Sequence, residues 1–233
     1  MDGLAQLTTA SHQRKMAIYS GISIVLMTII ASFSFGVLDS LAVSNDPLLT
    51  FNNLSESKTL FFISVLGWGV IVVLDLIVSF TFYLYFRSKD EKTSMVMGIL
   101  RLIYTVFLFF AILNLFEVLS LLDEKIDIVS PSSHQQILLL INDFNSIWSN
   151  GLIIFGIHIF LLGLLVYQST IPKILAILLF LASLGYIVVH GGNLLFPIYK
   201  EQISSIESIF ILPMVLGELG LAIWLLVKGG KKV

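Results

Sequence analysis

Six ionisable residues stand out inside stretches that are largely apolar: Asp75, Arg101, Glu117, His158, His190 and Glu218. Asp75, His158 and Glu218 supply two carboxylates and an imidazole, ligand types that first-row divalent metals accept. A metal held by this trio would activate a water molecule for hydrolysis. The same groups suit ion movement, because chains of Asp, Glu and His mark proton paths in membrane pumps. Histidine is apt for that work, since its free imidazole titrates near neutral pH. The plainest use is packing, in which a carboxylate and a guanidinium on adjacent helices pair and fix the contact. Other chemistries are absent from the chain. It has no cysteine, which excludes thiolates and disulfides. No H-E-x-x-H metal motif occurs, and His190-Gly191-Gly192-Asn193 lacks the preceding strand and following lysine of a phosphate loop. The serines have no base at a readable spacing, so no nucleophile triad is visible.

The elements that must hold these residues are membrane-spanning. The 233 residues are 57% hydrophobic and only 12% charged, against about 25% charged in soluble domains. Six apolar runs exceed the roughly 20 residues of helix that cross a hydrocarbon core. They cover 17–38, 60–86, 93–122, 135–167, 171–196 and 206–227. Backbone in lipid must satisfy its own hydrogen bonds, which predicts helix for each run. The runs are longer than the alternating ten-residue segments of a barrel. The expected fold is therefore all-α: a polytopic integral membrane bundle of six transmembrane helices, one transmembrane domain over residues 1–233.

The connections are short. Residues 87–92 form a charged turn, and Pro172 sits at a helix start. Ser130, Ser132 and Ser133 offer N-cap hydroxyls ahead of the fourth span. Residues 39–58 read as a polar loop containing Pro47. Trp148, Tyr167 and Tyr199 lie near predicted boundaries and read as interface anchors.

Six spans leave both termini on one side. That side carries Arg14, Lys15, Arg87, Lys89, Lys92, Lys173, Lys228, Lys231 and Lys232, whereas the other carries Lys58, Lys125 and Lys200. The excess of basic residues predicts cytoplasmic termini in a cell inner (plasma) membrane. The run after Lys15 is longer than a signal-peptide core and ends in no small-x-small site, which predicts a retained helix. The lipid bilayer is the expected partner. A net charge of −2 without a basic stripe excludes nucleic acid.

Helical periodicity sorts the polar residues into faces. Ser64, Trp68, Ile71, Asp75 and Ser79 share one stripe of the second span, and Ser183, Tyr186, His190 and Asn193 share one on the fifth. In the fourth, Ser149, Gly156 and Gly163 recur every seven residues, a small-residue pattern that permits close helix approach. His158 lies roughly opposite Gly156, so this helix is expected to meet protein on both sides. Counting along each run places Asp75, His158 and Glu218 at one depth, Arg101 nearer the cytoplasm, and Glu117 and His190 nearer the outside. A packing role pairs Asp75 with Arg101 and Glu117 with His190 or Asn193, and has His158 donating to a carbonyl or a serine. A relay would instead run from Glu117 and His190 through His158, with Glu218 or Asp75, to Arg101. A homo-oligomer would supply any wall that six helices lack.

Several segments carry a family resemblance. They are Arg101-Leu102-Ile103-Tyr104, Ile147-Trp148-Ser149-Asn150-Gly151-Leu152, Phe155-Gly156-Ile157-His158, Ile171-Pro172-Lys173-Ile174-Leu175, Leu184-Gly185-Tyr186, and the end from Gly217-Glu218-Leu219-Gly220 to Gly229. This order resembles the bacterial family called domain of unknown function 4386. The likeness is densest between Ile147 and Tyr186, and departs from the family's glycine at Ala176. The resemblance implies a six-helix bacterial inner-membrane protein and no agreed activity. The leading expectation is non-enzymatic binding or passage of an ion or small lipophilic molecule. Asp75, Arg101, His158 and Glu218 would line the polar site, with Glu117 and His190 beside them. The alternatives are a metal-dependent intramembrane hydrolase and a structural or partner-binding bundle. Neither a cofactor nor a specific ligand is named by any motif.

Overall fold

The structure is a computed structural model that describes residues 2–123 and 131–231, with side chains from residue 11 onward. Ser130, Lys125 and Lys232, invoked above for capping and orientation, lie outside the described residues. The helices are α1 (Asp2–Leu41), α2 (Pro47–Glu56), α3 (Lys58–Phe86), α4 (Glu91–Asp123), α5 (Pro131–Gln168), α6 (Lys173–Leu195) and, after a 3₁₀ turn at Pro197–Tyr199, α7 (Lys200–Val227). No strand occurs among the described residues. All but α2 are long and apolar enough to cross a membrane, so the fold is an all-α membrane bundle with six spans. Their outward faces carry residues such as Ile29, Phe80, Phe110 and Leu212, which are exposed as lipid contact requires.

Most helices outrun the apolar segments. The fourth span begins at Pro131 rather than 135 and is about 57 Å long. The sixth begins at Lys200 rather than 206, with Glu201 in its first turn complementing the helix dipole. The largest difference is α2, which occupies residues expected to be loop. Asn45 takes a positive φ of 65° and turns the chain. Asp46 then caps α2, accepting from the Leu49 N–H at 2.9 Å, and Pro47 stands in its first turn. The Thr50 hydroxyl bonds both the N–H and the carbonyl of Val43, and Asn53 donates to the Leu41 carbonyl. Leu54 is fully buried beneath the helix.

The chain forms two compact units. The first comprises Met1–Leu26, Leu74–Thr105 and Asn150–Val233. Here the predicted small-residue face of α5 packs on α6. A Cβ at Gly156 would stand 2.8 Å from Ile187 and 3.0 Å from the Tyr186 Cβ, and one at Gly163 would stand 2.8 Å from Phe180. Serines tie helices together: Ser20 donates to Thr81 at 2.7 Å and Ser79 to the Gly98 carbonyl at 2.8 Å. Arg14 on α1 closes the far end of α7, donating to the carbonyls of Leu225, Leu226 and Gly229 at 2.6–2.9 Å. Leu225 and Leu226 lie in the last turn of α7, where carbonyls run out of partners further along the helix, and Gly229 follows its end. Gly230, with φ of 67°, lets the backbone lie against Arg14, where a Cβ would meet the Arg14 nitrogen at 2.5 Å.

The second unit comprises Met27–Val73 and Val106–Ser149. Its core is an aromatic cluster. Trp68 meets Trp148 and Phe144 edge-on at 4.9 and 5.3 Å, and Trp148 also touches Phe35. Trp148 is therefore a packing residue rather than an interface anchor, because three rings enclose its apolar body. Tyr167 and Tyr199, in the first unit, are about half exposed as boundary residues should be. Phe51 of α2 stacks on His134 at 4.4 Å, and Lys58 pairs with Asp123.

Replacing Gly156 by leucine should lower stability by about 1–3 kcal/mol, the usual cost of overpacking a close contact. Gly36→Leu should be near neutral, since nothing lies within 4 Å of a Cβ at that site. Thermal unfolding of both variants in detergent checks the contrast.

Candidate functional site

The buried stripe of α3 is as the periodicity predicts: Ser64, Trp68, Ile71, Asp75 and Ser79 are all buried. Asp75 is its one charged member, and its partner is Arg101 of α4. Both the Nε and a terminal nitrogen of Arg101 donate to Asp75 Oδ1, at 2.8 and 2.7 Å. The other terminal nitrogen donates to Glu218 Oε1 of α7 at 2.7 Å and lies 3.2 Å from His158 Nε2 of α5. One guanidinium thus joins four helices, and every contact falls within the first unit. The side chains of Arg101 and Asp75 are 1% and 2% exposed and His158 is fully buried, whereas Glu218 is 17% exposed.

The partners of His158 fix its proton. Its Nδ1 lies 2.9 Å from the Met97 carbonyl, which can only accept, so Nδ1 carries hydrogen and donates. Its Nε2 faces a guanidinium nitrogen, which can only donate, so Nε2 accepts. His158 is therefore neutral, in the Nδ1–H tautomer, and orients Arg101. The opposite face of α5, at Gly156, meets α6 as expected. Phe155 lies one turn before His158 and places its ring 5.3 Å from the guanidinium carbon, a cation–π contact. Tyr104 and Tyr186 flank that ring at 4.7 and 5.2 Å. Phe155 and the Met97 carbonyl are the site groups that side-chain polarity did not flag. The signal for Phe155 was its i−3 spacing from His158 on one helical face.

The cluster contains two carboxylates, one guanidinium and a neutral imidazole, so its ionised form carries one unit of excess negative charge. The metal trio does converge, but around Arg101: the guanidinium stands where a cation held by Asp75 and Glu218 would have to sit. Among the described residues no group of three or more His, Asp or Glu side chains has metal-holding geometry. The arrangement is suited to exchanging a proton or a small charged group at Glu218, its least enclosed member.

Arg101 differs in depth from the expectation. It belongs to the same layer as Asp75, His158 and Glu218 rather than below them: the Ser79–Gly98 contact sets the antiparallel register of α3 and α4 so that Asp75 stands about level with Arg101. His190 is not among the partners of Arg101; it stacks on Tyr186 at 6.1 Å and is half-buried. Glu117 belongs to the second unit, on an exposed face of α4.

Comparison with known proteins gives a family and no activity. The family described as Domain of unknown function (DUF4386) matches residues 19–229, which contain the whole cluster. An uncharacterized protein of Archaeoglobus fulgidus is 31% identical over 169 residues, covering 72% of this chain and 85% of that relative. No solved structure matches.

Arg101→Gln should destabilise the bundle by about 3–5 kcal/mol, the cost of leaving buried charge unpaired, and Asp75→Asn by less, because Glu218 still pairs with the guanidinium. The double variant should lose much less than the sum. A double-mutant cycle on thermal unfolding measures that coupling, and additive effects would show that the two charges do not depend on each other.

Proposed function

The chain belongs to the family Domain of unknown function (DUF4386), and we propose that it is a non-enzymatic multi-pass membrane protein that binds or passes an ion or small lipophilic molecule at the Arg101 cluster. The observation that carries this reading is the unequal charge count of a buried cluster with one partly exposed member. Ionisable residues inside spans are costly and are functional by default. A site built only for packing needs one carboxylate for one guanidinium, yet Arg101 meets Asp75 and Glu218 together. Glu218 projects from α7, the least enclosed of the six spans. Pro213 lies within α7 about one turn before Glu218 and donates no backbone N–H there. This part of α7 can therefore shift at lower cost than an unbroken helix.

The hydrolase alternative loses support because Arg101 already fills the centre that a catalytic metal would use. The structural alternative is favoured by one observation, that Arg101 is held by hydrogen bonds to three other helices. The basic residues support a plasma-membrane location with both termini in the cytoplasm, nine flanking one side and three the other.

Liposomes containing the purified chain should show a flux of protons, alkali cations or a small organic solute above empty vesicles. Glu218→Gln should abolish that flux while the helical content and thermal unfolding stay close to the parent chain. Equal flux in the variant and the parent would remove the cluster from the path and leave packing as its role.

A further inference from the structure

We infer that the Arg101 cluster stores one exchangeable proton, shared by Asp75 and Glu218 and loaded or released through Glu218. This deepens the reading above by naming the ion, and it rests on that reading's site. The inference starts from the balance of charge. Asp75 and Glu218 both bond the single guanidinium of Arg101. With both ionised, one negative charge is left without a counter-charge in a low-dielectric surrounding, where it is expensive. Uptake of one proton from water turns one carboxylate into a carboxylic acid and leaves a neutral Arg–carboxylate pair.

The groups facing the two carboxylates leave no other place for that proton. Arg101, from α4, is already protonated and only donates. His158, from α5, holds its hydrogen on the Met97 carbonyl and turns its bare nitrogen toward Arg101, so a second proton there would point at a guanidinium. Tyr186, from α6, faces the cluster through Phe155 and is a phenol with its proton in place at neutral pH. Asp75 is the α3 member of the pair, and Glu218 is the one charged group that α7 brings to the cluster. Both carboxylates bond one guanidinium, so the proton belongs to the pair rather than to either residue. Exposure separates their roles: Asp75 is sealed, and Glu218 alone reaches the surroundings.

The test is infrared difference spectroscopy of the full chain in lipid nanodiscs, comparing acidic with alkaline buffer. The parent should show a carboxylic C=O band from one buried carboxyl per chain. Asp75→Asn and Glu218→Gln should each abolish it, because each leaves one carboxylate for one guanidinium, and the helical amide bands should be unchanged. Glu117→Gln, an exposed carboxyl of the other unit, should leave the band in place. Absence of the band from the parent, or its survival in either amide variant, would overturn the inference. Cation flux through a chain that lacks the band would sink the proton and keep the ion site. A titrating band without any flux would keep the stored proton and sink passage.

Discussion

A guanidinium at membrane depth must be solvated by protein, because neither water nor lipid is there to do it. Arg101 meets this constraint with carboxylates from α3 and α7, an imidazole and a phenyl ring from α5, and almost no exposed surface. Much of the first unit follows from it. Asp75 has to lie on the buried stripe of α3. Phe155 and His158 have to share one face of α5, which leaves the small-residue face free to pack on α6. Glycine at 156 is then needed, because any Cβ there would stand closer than van der Waals contact to Ile187 and Tyr186. The neutral tautomer of His158 is part of the same solution, since an imidazolium would add a second cation where one is already difficult to hold.

How much of this was legible depends on whether the signal is local. The six spans were readable because length and hydropathy are properties of single segments. The buried stripe of α3 and the two faces of α5 were readable because helical spacing maps sequence onto faces. Asp75 and Arg101 were readable as partners, since consecutive helices tend to be neighbours. Glu218 joining them was not, because nothing in one sequence says which helix α7 lies beside. Depth counting failed for Arg101, because counting along single runs fixes no register between neighbouring helices, which contacts such as Ser79 to Gly98 set. The helix α2 was hidden by its polarity, although Asn45-Asp46-Pro47 holds a turn residue, an N-cap and a first-turn proline in order. Trp148 was misread because a tryptophan near a boundary looks the same in sequence whether it meets headgroups or other rings.

The family match assigns these residues no chemistry. What distinguishes the cluster from ordinary helix-to-helix polar contacts is its stoichiometry. Interhelical hydrogen bonds in membranes average only about 0.6 kcal/mol, and a matched pair suffices to satisfy a charge. A second carboxylate brings its own desolvation cost, and it enters from the span with the least protein around it. That combination is poor design for rigidity and good design for a group whose charge changes.

The bonds from Arg14 to the end of α7 have a consequence for biosynthesis. They join residues more than 210 positions apart. A chain made from its N-terminus onward inserts α1 while the acceptors of Arg14 have not yet been synthesised. Contacts of such separation close last. Until the final turn of α7 emerges, Arg14 has none of these acceptors, and α1 is held through earlier contacts such as Ser20 to Thr81. Completion of this contact therefore waits for α7 to reach α1.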